Sequence, residues 1–596
     1  MDIRDRITSL RELMTIWGWE FAVISGTDPH NSEYTPKRWS QREFISGFTG
    51  SAGTVVVTAG HAGLWTDSRY YIQAVRELEG SGIELHKTSL PDSLDWADWI
   101  GHNISDLGKV GIDGLCMSSR EVDYLFACVA SRYGEVISHP DYLNRLWKNR
   151  PPFPNGKVWL HEVRYSGCST SEKLSWVREE IGLKGADCAL VSSLDQVAWL
   201  LSIRSNDVDY CPFVISFAII EPSKVALFID KSKVDADVES VLASDRIELY
   251  SYDEVTDYIR TMKDVRKIFI DPSSLNFELN NAVINRFGKD CIVLGASPID
   301  LKKSMKNSVE IDGFRRAFIL DGIAQTRFYH WLEDCMKAEK VLTEADLSDK
   351  IHSLRAENPD FMEESFETIS AYGENAALPH YSTVRGKDAT LKPNGLYLMD
   401  SGAHYRFGTT DITRTIPLGP VSQLEKEDYT LVLKAMIDLA MAVFPEGTPG
   451  CRLDAVARKP LWQTMRNFGH GTGHGVGNLL SVHEGPQSIR QNMKDQPIFP
   501  GMITSDEPGI YREGKHGIRH ENIILCIPAG DNEFGRWLKF ETLTMTYLDT
   551  TSLIIEMLDK EERCWLNEYN ALVEKTLCPL LCEQDAAWLR SKTKAV

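Results

Sequence analysis

The chain has 596 residues, 43% of them hydrophobic and 25% charged, with a formal net charge of −20 at pH 7. That length exceeds what one hydrophobic core supports and points to about three domains, with the composition of a globular protein rather than a disordered or fibrous one. The negative charge excludes broad affinity for nucleic acid or anionic membrane surfaces, because both need a positive field and no block of Lys and Arg supplies one.

The N-terminal segment MDIRDRITSLRELMTIWGWEFAVIS lacks a basic start followed by a long apolar run, and no stretch reaches the ~18 apolar residues of a membrane span. A cytoplasmic protein is expected. The 12 cysteines, Cys116, Cys188, Cys291 and Cys526 among them, are scattered singly, and the closest pair, Cys578 and Cys582, is not a CxxC. Reduced, mostly buried thiols are the expectation.

Two stretches of the first half share an outline. FAVIS (21–25), GTVVVT (53–58) and LWTDSRYY (64–71) read as strands followed by a helix start at an acidic cap. ALVSS (189–193), VISFAII (214–220) and VALFIDKS (225–232) read as the same order of strands, which suggests a duplicated α/β domain. A boundary falls at LWKNRPPFPNG (146–156), where three prolines and a glycine interrupt the periodicity, and a second in the polar stretch KKSMKNSVEIDG (302–313). The expected domains are 1–152, 153–306 and 307–596, the last ending in a helical extension. Within the third, Ser422 and Glu425 form a capping box ahead of an apolar stripe of Tyr429, Leu433, Met436, Ala440 and Val443.

No HExxH, GxSxG or GxxxxGK[ST] signature is present. The third domain instead sets five acidic or imidazole residues in short strand-like or glycine-rich segments: Asp400 (LYLMDSGAHY), Asp411 (GTTDITRT), His474 (HGTGHGVG), Glu507 (MITSDEPGIY) and Glu521 (GIRHENIIL). Asp400 ends an apolar strand and Asp411 lies on the next, after a turn at Arg406–Gly408, so one hairpin points both carboxylates into a pocket. Glu507 and Glu521 repeat the arrangement around a turn at Glu513–Gly517. Four carboxylates held close raise one another's pKa, and two divalent cations balance them. One imidazole among oxygens favours a hard or borderline ion, manganese first, with cobalt or zinc as alternatives; two such ions can share a bridging hydroxide, a nucleophile for a carbonyl. An isolated acid at a strand end is usually solvated or capping. The settings of these five argue otherwise, because Pro508, Gly509 and the four glycines flanking His474 make sense where backbone approaches a site closely.

In order and spacing, DSGAHYRFGTTDITRT, HGTGHGVG followed by VHEGP, DEPGIY and GIRHEN resemble the pita-bread metallopeptidases, and within them the three-domain, cytosolic-type Xaa-Pro aminopeptidases (aminopeptidase P). The resemblance extends to SGFTGSAGTVVVT (46–58) and IRSNDVDYCPF (203–213), nearly the whole chain. It implies an α/β (α+β) protein: two related creatinase-like N-terminal domains followed by a pita-bread catalytic domain. It implies that Asp400, Asp411, His474, Glu507 and Glu521 are metal ligands, that His380, His470 and His483 contact substrate, and that Tyr511 and Arg519 lie near the site. Arg519 fits an ion-pair partner that orients a ligand carboxylate. Arg204 and Asp207 either reach the cleft or order their own loop.

The activity so implied is cleavage of the N-terminal residue from peptides with proline in second position, with Glu507 carrying a proton to the leaving nitrogen. A homodimer is the family expectation. The neighbouring alternative is a prolidase, limited to dipeptides; from a different class, a metal-free pita-bread scaffold, which the complete ligand set disfavours.

Overall fold

Apolar runs such as Phe21–Ile24 and Cys188–Val191, buried at every position, become the central strands of two open sheets. A strand covered by helices on both faces carries no polar alternation, so it reads as a continuous hydrophobic segment. The structure, a computed structural model, describes residues 2–263 and 265–596. The chain folds as two compact units, Met1–Glu162 with Cys168–Ile299, and Val163–Gly167 with Asp300–Val596.

The first unit holds the duplication. Its first sheet comprises β1 (Phe21–Ile24), β2 (Thr54–Val57), β3 (Ala62–Thr66), β4 (Glu84–Lys87), β5 (Lys109–Ile112) and β6 (Glu135–Ser138), in the order β4-β3-β2-β1-β5-β6. Next come β7 (Trp159–Leu160), β8 (Cys188–Val191), β9 (Ile203–Arg204), β10 (Ser216–Ile220), β11 (Val225–Ile229), β12 (Ile247–Tyr250), β13 (Ile268–Ile270) and β14 (Ile292–Leu294). β7 pairs with β9, and the others form a second sheet in the order β12-β11-β10-β8-β13-β14. In each sheet the first strand lies antiparallel to one neighbour and parallel to the other, and both edge pairs are parallel. The loose likeness of the two stretches is therefore an identity of topology.

Some local expectations are corrected. Asp67 does not cap the helix Tyr71–Glu77, whose N-cap is Tyr70 with no side-chain bond; its carboxylate takes Arg69 on both oxygens, at 2.8 and 2.7 Å. Within the polar run 302–313, Lys303 and Lys306 are buried and the expected helical run is the helix Ser308–Lys337, which starts at Asn307 in a capping box. The cysteines form no disulfide among the described residues, but only Cys116, Cys188, Cys211, Cys335 and Cys526 are buried.

The second unit is built around β15 (Phe361–Glu364), β16 (Ile369–Tyr372), β17 (Leu396–Ser401), β18 (Ala403–Tyr405), β19 (Gly408–Thr409) and β20 (Ile412–Pro417) on one side of the sequence. On the other are β21 (Val443–Pro445), β22 (Gly473–Gly475), β23 (Glu484–Ile489), β24 (Ile503–Asp506), β25 (Gly509–Arg512), β26 (His516–Arg519), β27 (Asn522–Asn532) and β28 (Gly535–Thr542). Neither expected hairpin is continuous. β17 pairs with β20, while their distal continuations β18 and β19 join β15 in a separate sheet. Likewise β24 pairs with β27, while β25 and β26 form their own ribbon. Each hairpin breaks where its acids sit.

The capping box at Ser422 starts the helix Gln423–Ala440 as expected, and Tyr429, Leu433, Met436 and Ala440 are buried; Val443 lies beyond the helix on β21, 58% exposed. The terminal helices Lys560–Leu577 and Glu583–Lys592 contribute Leu566, Tyr569, Val573 and Leu589 to the core that also holds Phe328 and Leu433. Arg355, fully buried, grips Asp321 with Nε at 2.7 Å and Nη2 at 3.2 Å, and reaches Ser401 Oγ and Gly402 O just past Asp400. Asp321→Ala leaves that guanidinium unpaired and should cost ~3–5 kcal/mol. Denaturant midpoints test it: a loss under 1 kcal/mol counts against the clamp, and Asp321→Leu with Arg355→Met should recover part of it.

Candidate metal centre

The two broken hairpins meet at their breaks. Asp400 of β17 faces Thr413 of β20, and Asp411 stands in the break just before β20. Glu507 directly follows β24, and Glu521 lies between β26 and β27. Thr413 joins the hairpins: its carbonyl accepts Glu521 N at 3.0 Å and its hydroxyl donates to Glu521 Oε2 at 2.9 Å. His474, on β22, puts Nε2 3.5 Å from Asp411 Oδ2 and 3.3 Å from Glu507 Oε1. Asp411, His474 and Glu521 each offer a ligand atom within 4.8 Å of the others. Close backbone approach explains the glycines around His474, since a β-carbon on Gly473 would stand 1.9 Å from Ser505 O.

The hydrogen bonds fix the tautomer of His474. Its Nδ1 lies 3.0 Å from Gly475 O, and a carbonyl only accepts, so Nδ1 carries the proton. Nε2 then presents a lone pair toward two carboxylate oxygens, an arrangement that a cation between them stabilises. Asp400 Oδ2 accepts from Arg519 Nη2 at 2.6 Å, whereas its buried Oδ1 has no hydrogen-bond partner among the described residues. Burial, and then the neighbouring Asp400, push Asp411 well above the usual carboxylate range; burial and then Asp411 do the same to Glu521. Burial raises Glu507 to about 7, with Arg519 opposing and Asp400 adding to the rise. Four oxygen donors, one imidazole and an excess of crowded negative charge fit divalent cations.

A directional chain of bonds runs away from Asp400. Arg519 donates Nη1 to Tyr511 Oη at 2.6 Å and Nε to Thr413 Oγ1 at 3.0 Å. His470 donates Nδ1 to Gly471 O at 2.7 Å, so its Nε2, 2.8 Å from Tyr511 Oη, accepts the phenol proton. His483 stands edge-on to His474 with ring centroids 4.4 Å apart. Next to it, Glu484 is buried between Lys303 at 2.9 Å and Lys306 at 2.6 Å, which anchors the loop. His380 follows Pro379, whose carbonyl accepts Arg519 Nη2 at 3.4 Å.

Arg204 and Asp207 have interior partners in the first unit. Arg204 Nη1 donates to Ala198 O at 2.6 Å, and Asp207 takes Lys233 Nζ at 2.6 Å and the amides of Gly156 and Ile215. Four supports escaped the sequence reading. Thr413 is one. Ser505 accepts His474 N at 2.9 Å and donates to Glu507 Oε1 at 3.1 Å. Asp428 gathers Arg466 at 2.7 Å, Arg512 at 2.5 Å and His516 at 2.9 Å, clamping the β25–β26 ribbon to its helix. Glu484 with its two lysines is the fourth. Thr413 was signalled two residues after Asp411 and Glu484 by VHEGP; Asp428 had no local signal.

The metallopeptidase family M24 model matches residues 312–528, and its C-terminal region 536–596; two creatinase/prolidase N-terminal domain models match 6–138 and 149–310. The chain belongs to metallopeptidase family M24. Among curated relatives, the probable Xaa-Pro aminopeptidase P of Fusarium vanettenii is 38% identical over 625 residues, covering 100% of this chain and 99% of the relative. That of Coccidioides posadasii is 37% identical over 593 residues, covering 97% and 90%. The crystal structure of X-prolyl aminopeptidase from Caenorhabditis elegans, a cytosolic enzyme with a di-nuclear active site, superposes with a TM-score of 0.96 at 32% identity and 100% coverage of both chains. The chain is accordingly a metal-dependent aminopeptidase, and the prolidase alternative is not favoured.

Crowding gives the metal-free protein a pH signature. Glu507 titrates near 4.5 in an unfolded chain and near 7 in the metal-free fold, so the fold holds a proton that the unfolded chain has released. Its favourable contribution is present below pH 4.5 and lost as pH rises through about 7, and Asp411 and Glu521, also raised by burial, act in the same direction. Melting temperatures of chelated protein should fall between about pH 5 and about pH 8, and a saturating divalent cation should flatten the profile. Identical profiles with and without metal would contradict the assignment of charge crowding.

Proposed function

We propose that this chain cleaves the first residue from peptides of the form Xaa-Pro-Yaa, using two divalent cations, manganese by preference, held by Asp400, Asp411, His474, Glu507 and Glu521. The observation that carries the reading is the convergence of these four carboxylates and the His474 Nε2 lone pair at two hairpin breaks joined by Thr413. Bound cations would neutralise the carboxylates and polarise water into a nucleophile at neutral pH. Cobalt and zinc remain chemically suitable substitutes.

In this reading the chain's own residues do the rest. Glu507, raised toward neutrality, is suited to take a proton from the attacking water and hand it to the leaving proline nitrogen. That nitrogen has no N–H, so the substrate cannot be held through a donor there and must be held elsewhere. Asp400, one oxygen fixed by Arg519, has a second oxygen without a hydrogen-bond partner among the described residues, suited to accept from the substrate's free amine. His483 and His380 serve as donors to the developing oxyanion or as walls of the proline pocket. His470, engaged at both ring nitrogens, is suited to fix Tyr511 and through it Arg519. We further propose domains at 1–152, 153–306 and 307–596, a homodimeric assembly and a cytoplasmic location. The cytosolic description of the worm enzyme supports the location, and sedimentation measures the assembly.

Asp411→Ala and Glu521→Ala should lose metal and activity together, whereas His483→Ala should retain metal and lose ~10²–10³ in rate. Metal analysis beside kcat separates the two roles, and an empty centre in His483→Ala overturns the ligand assignment. Arg-Pro-Pro should be hydrolysed with manganese present, Arg-Ala-Pro far more slowly, and N-acetylated Arg-Pro-Pro not at all. An enzyme that hydrolyses Gly-Pro well and ignores Arg-Pro-Pro is a prolidase and sinks this reading.

A further inference from the structure

A second group of ligand side chains lies far from this chemistry in sequence, in the first sheet of the first unit. β3 and β4 run parallel, with Gly63 opposite Glu84 and Trp65 opposite His86. The period of two along a strand puts Gly63 and Trp65 on one face, and Glu84 and His86 on the same face of the next strand. His61 enters from the turn just before β3. Its Nε2 lies 3.1 Å from His86 Nε2, and its Nδ1 is 3.7 Å from Glu84 Oε2. Each of the three residues offers a ligand atom within 4.8 Å of the others.

Ring packing orients the group: His61 and His86 both lie against Trp99, with centroids 5.1 and 6.0 Å away. His86 lies flat on Trp65, with centroids 3.9 Å apart and an interplanar angle of 6°, so its ring direction is set. Between the imidazoles is Gly63, where a β-carbon would stand 2.8 Å from His61 Nε2, 2.8 Å from His86 Cδ2 and 2.7 Å from Trp65. Only glycine leaves the two ring edges room to meet. β4 is the edge strand, and the side chains of His61 and Glu84 are 25% and 68% exposed, so the group opens to solvent.

We propose that His61, Glu84 and His86 form a further divalent-cation site, one that takes a borderline ion such as zinc. Two nitrogens 3.1 Å apart, each about 2.05 Å from one ion, subtend an angle of about 98° at it, within reach of a distorted tetrahedron. Two imidazoles and one carboxylate leave a position for water. The ligand chemistry differs from that of the catalytic cluster: imidazole-rich here and suited to zinc, nickel or copper, oxygen-rich there and suited to manganese. An ion here would tie β4 to β3 at the edge of the first sheet. The inference does not rest on the proposed peptidase mechanism, since none of its residues belongs to that machinery.

The test uses the full chain. Asp411→Ala with Glu521→Ala disables the catalytic cluster; this variant is stripped with chelator, dialysed against micromolar zinc and analysed for bound metal. One zinc per chain is expected, and none when Glu84→Gln and His86→Gln are added. Nickel titration should quench tryptophan emission through Trp65 only while His86 is present. In parallel, otherwise wild-type protein carrying His61→Gln should bind one zinc ion fewer than the parent and keep its manganese-dependent peptidase activity. That comparison answers the question even if the catalytic variant folds poorly. Equal zinc content with and without His61 and His86 overturns the proposal and leaves the 3.1 Å contact as a hydrogen bond between two imidazoles.

Discussion

Charge crowding is the constraint on which the second unit depends. Buried Asp400, Asp411 and Glu521 are brought together with half-buried Glu507, and the guanidinium bonded to Asp400 is that of Arg519. Such a cluster opposes folding until cations arrive, so the surrounding structure must impose its geometry. Arg414 is one means: fully buried, it donates to Glu521 O, Asn522 Oδ1, Thr546 O, Tyr547 O and Tyr569 Oη. Tyr569 lies on the helix Lys560–Leu577, so the terminal helical segment helps to hold a ligand-bearing break. Arg355 acts the same way on the strand end at Ser401.

The strand breaks show how the backbone serves that constraint. A continuous hairpin keeps one register and sends alternate side chains to opposite faces. Interrupting each hairpin, and pairing the distal part elsewhere, frees Asp411, Glu507 and Glu521 from strict alternation. The freed backbone is still satisfied, because Glu507 N finds Thr472 O and Glu521 N finds Thr413 O. Hydrogen-bond direction adds a further constraint: the sequence of donors from Arg519 through Tyr511 to His470 and Gly471 O runs one way, which sets the tautomer of His470 before substrate binds.

Much of this was legible because it is local. Buried strands read as unbroken apolar runs, and the helix at Gln423 announced itself through Ser422 and Glu425. The five acidic and imidazole residues stood out because proline and glycine beside them make little sense in ordinary strands. What escaped was set by tertiary partners. Asp67 had the form of a helix cap but spends its carboxylate on Arg69. Val443 continued the apolar period past the true end of its helix. Asp428 reads as a solvated helix residue until the β25–β26 ribbon brings Arg512 and His516 to it.

The duplicated sheets supply an internal comparison for the edge at β4. The same topological edge in the second sheet is β12 beside β11, and there Lys224 pairs with Glu248 at 2.7 Å while Tyr250 packs against Tyr258 and Phe228. That copy closes its edge with an ion pair and aromatic rings, so the fold has no need of imidazoles at this place. In the first sheet the corresponding strands carry His61, Glu84 and His86 around a glycine that leaves their rings room to meet. The first edge has its own ion pair, His61 with Glu84 at 3.7 Å, and its own ring packing, on Trp65 and Trp99, but the rings are imidazoles, so this edge adds two nitrogen donors that the second edge lacks.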